Sequence, residues 1–503
     1  MAGMSIYRCA GPRSLVLLAG LLPLPLLAAS AIQPSVTIAE IYTNNVDLAP
    51  SGQEEDEWVT RLAPRINLIY EGTSLQATAD YTLEALFYAN DSDRNEVYNQ
   101  LNSAALLDLI GKDLQLRGAA VINQVNLAPE QPVSNSNINT TGNRSDATTW
   151  NLGPQWHRDV LGNSEIEGYA TIGQVNYDAR DSQDVDTVSG RFALQSSRKR
   201  RPTVGYELAY EYDKVEYELS GDTVVQTAYL QLGYQVNTDL ELFVLGGLDN
   251  DIEDPTDDSL SEGRWEAGFS TNIGASHMRA AVGHRYFGPT YSFLWELEDF
   301  DSTYRISYSE APTTSDLTAV SEIPTTPATG GGTTPTPPPD SDLARPGNPT
   351  RFILRRGDAL GSWQLHRTEL SVGLFWEERQ DQVFASDQLA TTADLSNEES
   401  YGFDAGLSWE IGAKSVASLT ADWRHREYND LEGAGCDPLD PAPCTPLAAD
   451  DELTRLIGAI DYTLGLKTGL GFRLGWQRRG GAADGSSDYD ELWGSVQLLR
   501  KFY

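Results

Sequence analysis

Residues Val204–Asp213 read VGYELAYEYD. Val204, Tyr206, Leu208, Tyr210 and Tyr212 are apolar or aromatic, and the residues between them are small or acidic. Side chains along a strand point alternately to opposite faces, so this stretch has one greasy face and one carrying Glu207 and Glu211. The same period recurs downstream. Leu470, Phe472, Leu474 and Trp476 alternate with Gly471, Arg473, Gly475 and Gln477. Tyr401, Phe403, Leu407, Trp409 and Ile411 alternate with Gly402, Asp404, Ser408 and Glu410. Thr368, Leu370, Val372, Leu374 and Trp376 form a third such run. No long amphipathic helix interrupts the pattern.

The connectors carry the topology. Long acidic or Pro-rich segments, such as 126–147, 249–263, 311–350, 382–398 and 429–450, alternate with tight ones at 71–74, 111–113, 161–164, 237–239, 274–276, 412–414 and 465–467. The tight ones use Gly, Asn and Asp, which tolerate hairpin dihedrals. Alternating long and short connectors predict an up-and-down antiparallel meander with one elaborated end, the outer-membrane barrel pattern. The all-β reading is a single large transmembrane β-barrel of about 22 strands, with 20 as the alternative, and an even count returns both termini to the periplasmic side. The count turns on the short connector Phe287–Thr290 and on 351–366. A soluble sheet would bury its apolar face against another layer. Here nearly every strand offers such a face and no helix covers it, and hydrocarbon requires closure because an open edge leaves backbone groups unpaired.

The N-terminus reads as a signal peptide over 1–31. Arg8 and Arg13 precede an apolar run from Ser14 to Leu27, and Ala29-Ser30-Ala31 fits a cleavage site, placing the mature start near Ile32. The run is shorter than the ~20 residues of a spanning helix. Residues 32–503 are then the barrel, with 311–350 as one long Pro/Thr/Gly-rich loop, and the chain is assigned to the outer membrane of a Gram-negative bacterium. Strands beginning near Val36 leave no room for a plug domain ahead of the barrel, which places a ligand-gated active transporter third among the functional readings. Cys436 and Cys444, in CDPLDPAPC, read as a disulfide closing a small loop in an oxidising compartment.

The formal net charge of −37 argues against nucleic acid as a partner. With 23 Tyr and 11 Trp against 13 Phe, the rings favour those with a polar edge, suited to a membrane interface. Tyr206, Tyr210, Tyr212, Trp376, Trp409, Trp423 and Trp476 are expected to face lipid or form the girdles. Glu207, Glu211, Arg279, Arg285, Asp404, Glu410, Asp422, Arg424, Arg426 and Arg473 occupy the opposite phase and are expected to line a lumen. Past Lys214 the apolar phase shifts to Val215, Tyr217 and Leu219, which predicts a bulge or a loop start near Asp213. The C-terminus, ELWGSVQLLRKFY, ends on an aromatic strand of the kind that barrel-insertion machinery recognises, with Arg500 interrupting its apolar phase.

Little in the sequence carries chemistry. The five histidines, His157, His277, His284, His366 and His425, are far apart, and no Ser/His/Asp order, HExxH or phosphate loop is found. No enzyme activity, cofactor or metal site is expected. The acidic loop DNDIEDPTDDSLSEG (249–263) suggests divalent cations at the lipopolysaccharide surface, and the basic run 197–202 is placed at a periplasmic turn.

AEIYTNNVDLAPSGQEEDEWVTRLAP (39–64), ALFYANDSDRNEVYNQLNSAALLDLI (85–110) and HRYFGPTYSF (284–293) resemble the PEP-CTERM system-associated outer-membrane β-barrel family. The first stretch is the most distinctive, and the resemblance spans the mature chain. It implies a place beside exosortase and exopolysaccharide export, with exopolysaccharide or export components as partners, and carries over no catalytic residue. The leading functional reading is a porin-like channel or conduit. The alternative is a non-conducting structural or glycan-anchoring barrel.

Overall fold

The computed structural model describes residues 29–503 apart from 128–130, 135, 161, 179–183, 198–201, 218–221, 253–259, 322, 324–350, 382–396, 430–449 and 482–487. Cys436 and Cys444 lie outside the described residues, as do most of 311–350 and the centres of the acidic loop and the basic run.

The period-2 segments become strands. β1 (Ala29–Thr43), β2 (Glu57–Glu71), β3 (Leu75–Tyr88), β4 (Glu96–Ile110) and β5 (Leu114–Asn126) open the chain. β6 (Arg144–Val160), β7 (Ser164–Tyr177), β8 (Val185–Ser196), β9 (Val204–Tyr217), β10 (Thr223–Gln235) and β11 (Leu240–Ile252) follow. Then come β12 (Leu260–Ile273), β13 (Ser276–Arg285), β14 (Gly288–Asp299), β15 (Ser302–Thr313) and the short helix α1 (Ser315–Ser321). β16 (Phe352–Leu365), β17 (Thr368–Asp381), β18 (Asn397–Gly412), β19 (Ser415–Asn429), β20 (Asp451–Gly465), β21 (Thr468–Gly480) and β22 (Tyr489–Lys501) complete it. Each strand pairs antiparallel with the next, and β22 returns to β1, from Ser35↔Lys501 to Thr43↔Trp493. The result is a closed barrel of 22 strands with no free edge, the condition a bilayer imposes on a sheet.

Both places on which the strand count turns resolve toward the higher number. Tyr286 and Phe287 form a two-residue turn between β13 and β14, and 352–365 is a full strand paired on both sides. β15 runs to Thr313, so the long connector begins three residues later than the sequence suggested. β1 begins at Ala29, three residues ahead of the expected mature start, while its pairing to β22 begins only at Ser35. At the tight end, Gly111 and Gly274 take φ of 54° and 62°, the left-handed region their turns need, and His366 takes φ 57° in a two-residue turn.

One expectation is overturned. β9 has no bulge near Asp213. It pairs in unbroken register with β8 from Gln195↔Glu207 to Val185↔Tyr217, and with β10 from Val204↔Tyr234 to Val215↔Thr223. The apolar phase switches while the backbone does not. Val215 and Tyr217 stay on the face of Glu207 and Ala209, where they are buried against Leu317. Lys214 and Glu216 stay on the face of Leu208 and Tyr210, where Lys214 pairs with Glu216 and with Asp222 at 2.9 Å. Above the membrane the wall is turned inside out: charge faces outward to water and apolar groups face an interior filled by protein.

Two aromatic bands bound the lipid-facing surface. At the long-loop end lie the contacts Tyr42–Trp58, Tyr308–Trp376 and Tyr401–Trp423, with ring centroids 5.2, 6.3 and 5.8 Å apart. At the tight end Trp295, Tyr304 and Trp363 cluster. Along β18, Tyr401 and Trp409 mark the two bands on one strand, with Phe403 and Leu407 exposed between them. Eight residues at ~3.3 Å with a ~40° tilt span about 20 Å, close to the height of an outer-membrane apolar band. Arg500 lies on this outer face at the tight-end rim, where it donates to Thr468 Oγ1 at 2.6 Å, so its charge sits at the interface and not in hydrocarbon.

Candidate functional site: the barrel interior

A 22-stranded wall encloses more space than its own side chains can fill. Two described segments enter this space from the long-loop end. The first is the connector between β5 and β6. Its Ile138 packs with Ala39, Ile41, Val46, Val59, Leu86 and Tyr88. Asn137 donates to Glu84 Oε2 at 2.6 Å and Asn139 to Glu491 Oε1 at 2.9 Å. Tyr489 reaches Val133 O at 2.7 Å, and Arg479 donates to Gln131 O. Glu491 also accepts from Thr43 at 2.5 Å and Gln477 at 2.6 Å. One carboxylate thus joins the inserted segment to the β22–β1 closure.

The second segment follows β15. Thr314 and α1 leave one wall and dock on β6, β7 and β8, seven to nine strands away from β15 around the barrel. Val320 packs with Val125, Ala147, Val175 and Tyr177, and Asn151 Nδ2 donates to Val320 O at 3.1 Å. Gly173 makes room for it, because a Cβ there would stand 2.6 Å from Val320 Cγ1. Tyr177 OH donates to Asp316 Oδ1 at 3.0 Å, and burial raises the Asp316 carboxyl to about 6.

These contacts fix the inward face of each strand, and the exposed large apolar residues fix the outward one. Tyr210, Trp409, Leu208, Leu230, Leu374 and Leu474 stand outward and exposed. Tyr206 and Tyr212 share the phase of Tyr210. Trp376, Trp423 and Trp476 share that outer face at the long-loop rim, where each indole donates to a carboxylate on the next strand: Glu399 at 2.6 Å, Glu452 at 2.6 Å and Asp490 at 3.2 Å.

The ten charged residues singled out in the sequence lie on the inward phase, seven in three clusters and three exposed. Glu207 and Glu211 converge on Arg191, the latter at 3.1 Å, and Tyr229 donates to Glu207 at 2.8 Å. Arg285 holds buried Asp249 at 2.7 Å, with Arg264 3.6 Å away, while Arg279 donates to Gln231 at 3.1 Å and lies 4.1 Å over the Phe243 ring. Arg426 pairs with Glu398 at 2.7 Å, Arg424 lies over Phe375, and Asp422 accepts from Arg455 at 2.8 Å. Asp404 is instead exposed at mid-strand, and Glu410 and Arg473 are exposed inside the tight-end half. So are Arg65 and Arg305, whose side chains retain 53% and 56% of their accessibility. A charge left that accessible is hydrated, so this half of the lumen holds water.

Period alone did not single out Arg191, Asp249, Arg264, Glu398, Arg455, Glu491 or Asp451, the last 3.9 Å from Arg426. They sit on the same inward phase, and cross-strand register would have found them. His157, Asp159 and Glu165 bring three ligand atoms within 4.8 Å of one another at the β6–β7 turn, a grouping that no sequence spacing announced. His157 Nε2 lies 3.6 Å from Glu165.

No protein-family model and no curated protein matches the sequence. Solved structures do match in fold. The FrpB iron transporter from Neisseria meningitidis in its F5-1 variant aligns with TM-score 0.52 and 8% identity, over 93% of this chain and 82% of that chain. Its F3-3 variant aligns with TM-score 0.52 and 9% identity, over 93% and 81%. The siderophore receptor PirA from Acinetobacter baumannii aligns with TM-score 0.48 and 7% identity, over 94% and 81%. The chain has the fold of Gram-negative outer-membrane barrels.

Proposed function

We propose that this barrel is a porin-like conduit for hydrophilic solutes, narrowed at its outer end by the two inserted segments. The observation that carries the reading is the hydrated charge of the lumen from mid-height to the tight end, at Arg65, Arg305, Asp404, Glu410 and Arg473. A barrel serving only as an anchor has no need to keep ionised groups of both signs in internal water. Transport also agrees with what the FrpB relative is said to be, although that likeness is one of fold. The resemblance to the PEP-CTERM-associated family adds a cargo class, surface polysaccharide or its building blocks. No covalent chemistry is assigned to the chain, and its surroundings are outer-membrane lipid and lipopolysaccharide.

The test is conductance of the folded protein in planar bilayers. Discrete, stable openings are expected, and they should grow when a short Gly-Ser linker replaces the inserted segment 131–142. Silence from correctly folded barrels, with or without that segment, would favour the non-conducting, glycan-anchoring alternative. In the native host, deletion should reduce surface polysaccharide or solute uptake. Unchanged polysaccharide would remove the export reading and leave the pore.

A further inference from the structure

Directly beneath the inserted β5–β6 connector, the wall from β20 to β2 holds a cavity of about 240 Å³. Three arginines line it, Arg61, Arg455 and Arg473, and no Asp or Glu does so among the described residues. In a chain with a formal net charge of −37, that is a local reversal of sign. The three arginines are incompletely compensated. Arg61 meets Glu84 only at 3.4 Å and Gln497 at 3.3 Å, and its buried Nε has no partner. Arg455 gives its Nε to Asp422 at 2.8 Å. Arg473 is exposed, and no ion pair of its own is found among the described residues.

The fourth element is an indole. Trp493 stands opposite Gly475 in the β21–β22 register. A Cβ at Gly475 would lie 2.2 Å from the Trp493 ring, so the indole rests on the bare glycine, in the space a side chain there would take. Trp493 also lines the cavity. Ile138 of the inserted connector roofs the space. The cavity is smaller than the ~300–1,000 Å³ of drug-sized sites, which suits a single small ring.

We propose that this cavity binds an acidic sugar unit: its carboxylate on Arg473 with Arg61 and Arg455, and its ring laid on Trp493. Guanidinium matches carboxylate geometry through paired, charge-assisted N–H donors. A flat, partly apolar aromatic face complements the C–H face of a pyranose. The proposal rests on the conduit reading, because it gives that conduit a selective step at the underside of its constriction. The same chemistry serves a free uronic acid or one unit of an anionic polysaccharide.

The test titrates the full-length folded barrel with galacturonate, with galactose and with oligogalacturonate, following tryptophan fluorescence and calorimetry. Galacturonate is expected to bind at least tenfold more tightly than galactose, and less tightly as salt is raised. Arg473→Gln should weaken it at least tenfold. Trp493→Ala should weaken it as well, while Trp493→Phe restores most of the affinity. Arg305→Gln, a lumen arginine outside the cavity, should leave it unchanged and serves as the folding and charge control. Tighter binding of oligogalacturonate than of the monomer identifies a polymer as the source, and equal binding identifies the free acid. Equal affinity for galactose and galacturonate, or no effect of Arg473→Gln, would overturn the proposal. Conductance of the same preparations separates the two readings. A conducting pore that ignores galacturonate removes the subsite alone, and a silent barrel that binds it through Arg473 removes the conduit alone.

Discussion

The docking of α1 across the lumen should weaken as pH rises, and the magnitude follows from Asp316. When the segment is undocked, the carboxyl is solvated and ionises near 3.8; docked, burial raises it to about 6. Tyr177 and Tyr217 face it from β7 and β9, and Arg351, ahead of β16, lies close enough to Tyr217 to act on that hydroxyl. Below about pH 4 the carboxyl is protonated in both states and contributes no difference. Between about 4 and 6 the docked state keeps a proton that the undocked state has released, so each pH unit weakens docking by ~1.4 kcal/mol. Above about 6 both states are ionised and the loss levels off near 3 kcal/mol, roughly a hundredfold in the opening equilibrium. Hydrogen exchange of the 315–321 amides, corrected for intrinsic rate, reads this directly, because Thr318 N is bonded to Thr314 O at 3.1 Å only while the turn is formed. Protection should fall from pH 4 to pH 7. Asp316→Asn should remove the dependence and hold pH 7 protection near its pH 4 level. Protection that is flat with pH, or an Asp316→Asn variant that exchanges faster at pH 7, would refute the reasoning.

Four further outcomes are expected. Gly173→Val should undock α1 and raise single-channel conductance, since even a Cβ there meets Val320 Cγ1 at 2.6 Å, Thr187 Oγ1 at 2.8 Å and Trp150 O at 3.0 Å. Glu491→Ala should lower the unfolding midpoint of the folded barrel in detergent and open 131–142 to protease, because one carboxylate serves Thr43, Asn139 and Gln477 and such bonds are each worth roughly 1.5–3 kcal/mol. Leu407→Arg should destabilise folding into bilayers by about 2–4 kcal/mol, whereas Ser408→Arg, on the inward face beside it, should change stability by well under that. Leu374→Arg and Phe375→Arg form a second such pair, and equal costs within either pair would show that the faces are assigned wrongly.

The fold was legible because bilayer and lumen each impose a rule on alternate residues. Strand after strand from β9 to β22 obeys it in the membrane zone, and Gly, Asn and Asp at the tight connectors mark the turns. The interior was legible only by phase. Period 2 identifies Glu207 as inward, but not that Arg191 stands against it, since the register between β8 and β9 is a property of the paired strands. The two inserted segments were invisible for a related reason. Ile138 and Val320 sit in connectors without a repeating pattern, and their burial depends on walls distant in sequence. The acidic partners of the rim tryptophans went unread because Glu399 and Glu452 lie on neighbouring strands.

VGYELAYEYD and the four residues after it carry this lesson in one strand. A reversal of apolar phase usually signals an extra residue in the ladder, because one inserted residue moves every later side chain to the other face. That inference assumes the environments on the two faces are constant along the strand. In a membrane barrel they are not. Outside changes from hydrocarbon to water at the interface, and inside changes from water to packed protein where a segment is inserted. When both exchanges fall at the same height, polarity inverts with the register intact, as between Tyr212 and Val215. The same inversion is visible on neighbouring strands, where Val175, Tyr177 and Val185 turn inward against α1 and Val320. A phase reversal that recurs at one level on adjacent strands is therefore the mark of a filled lumen end, whereas a bulge would shift one strand against its partners.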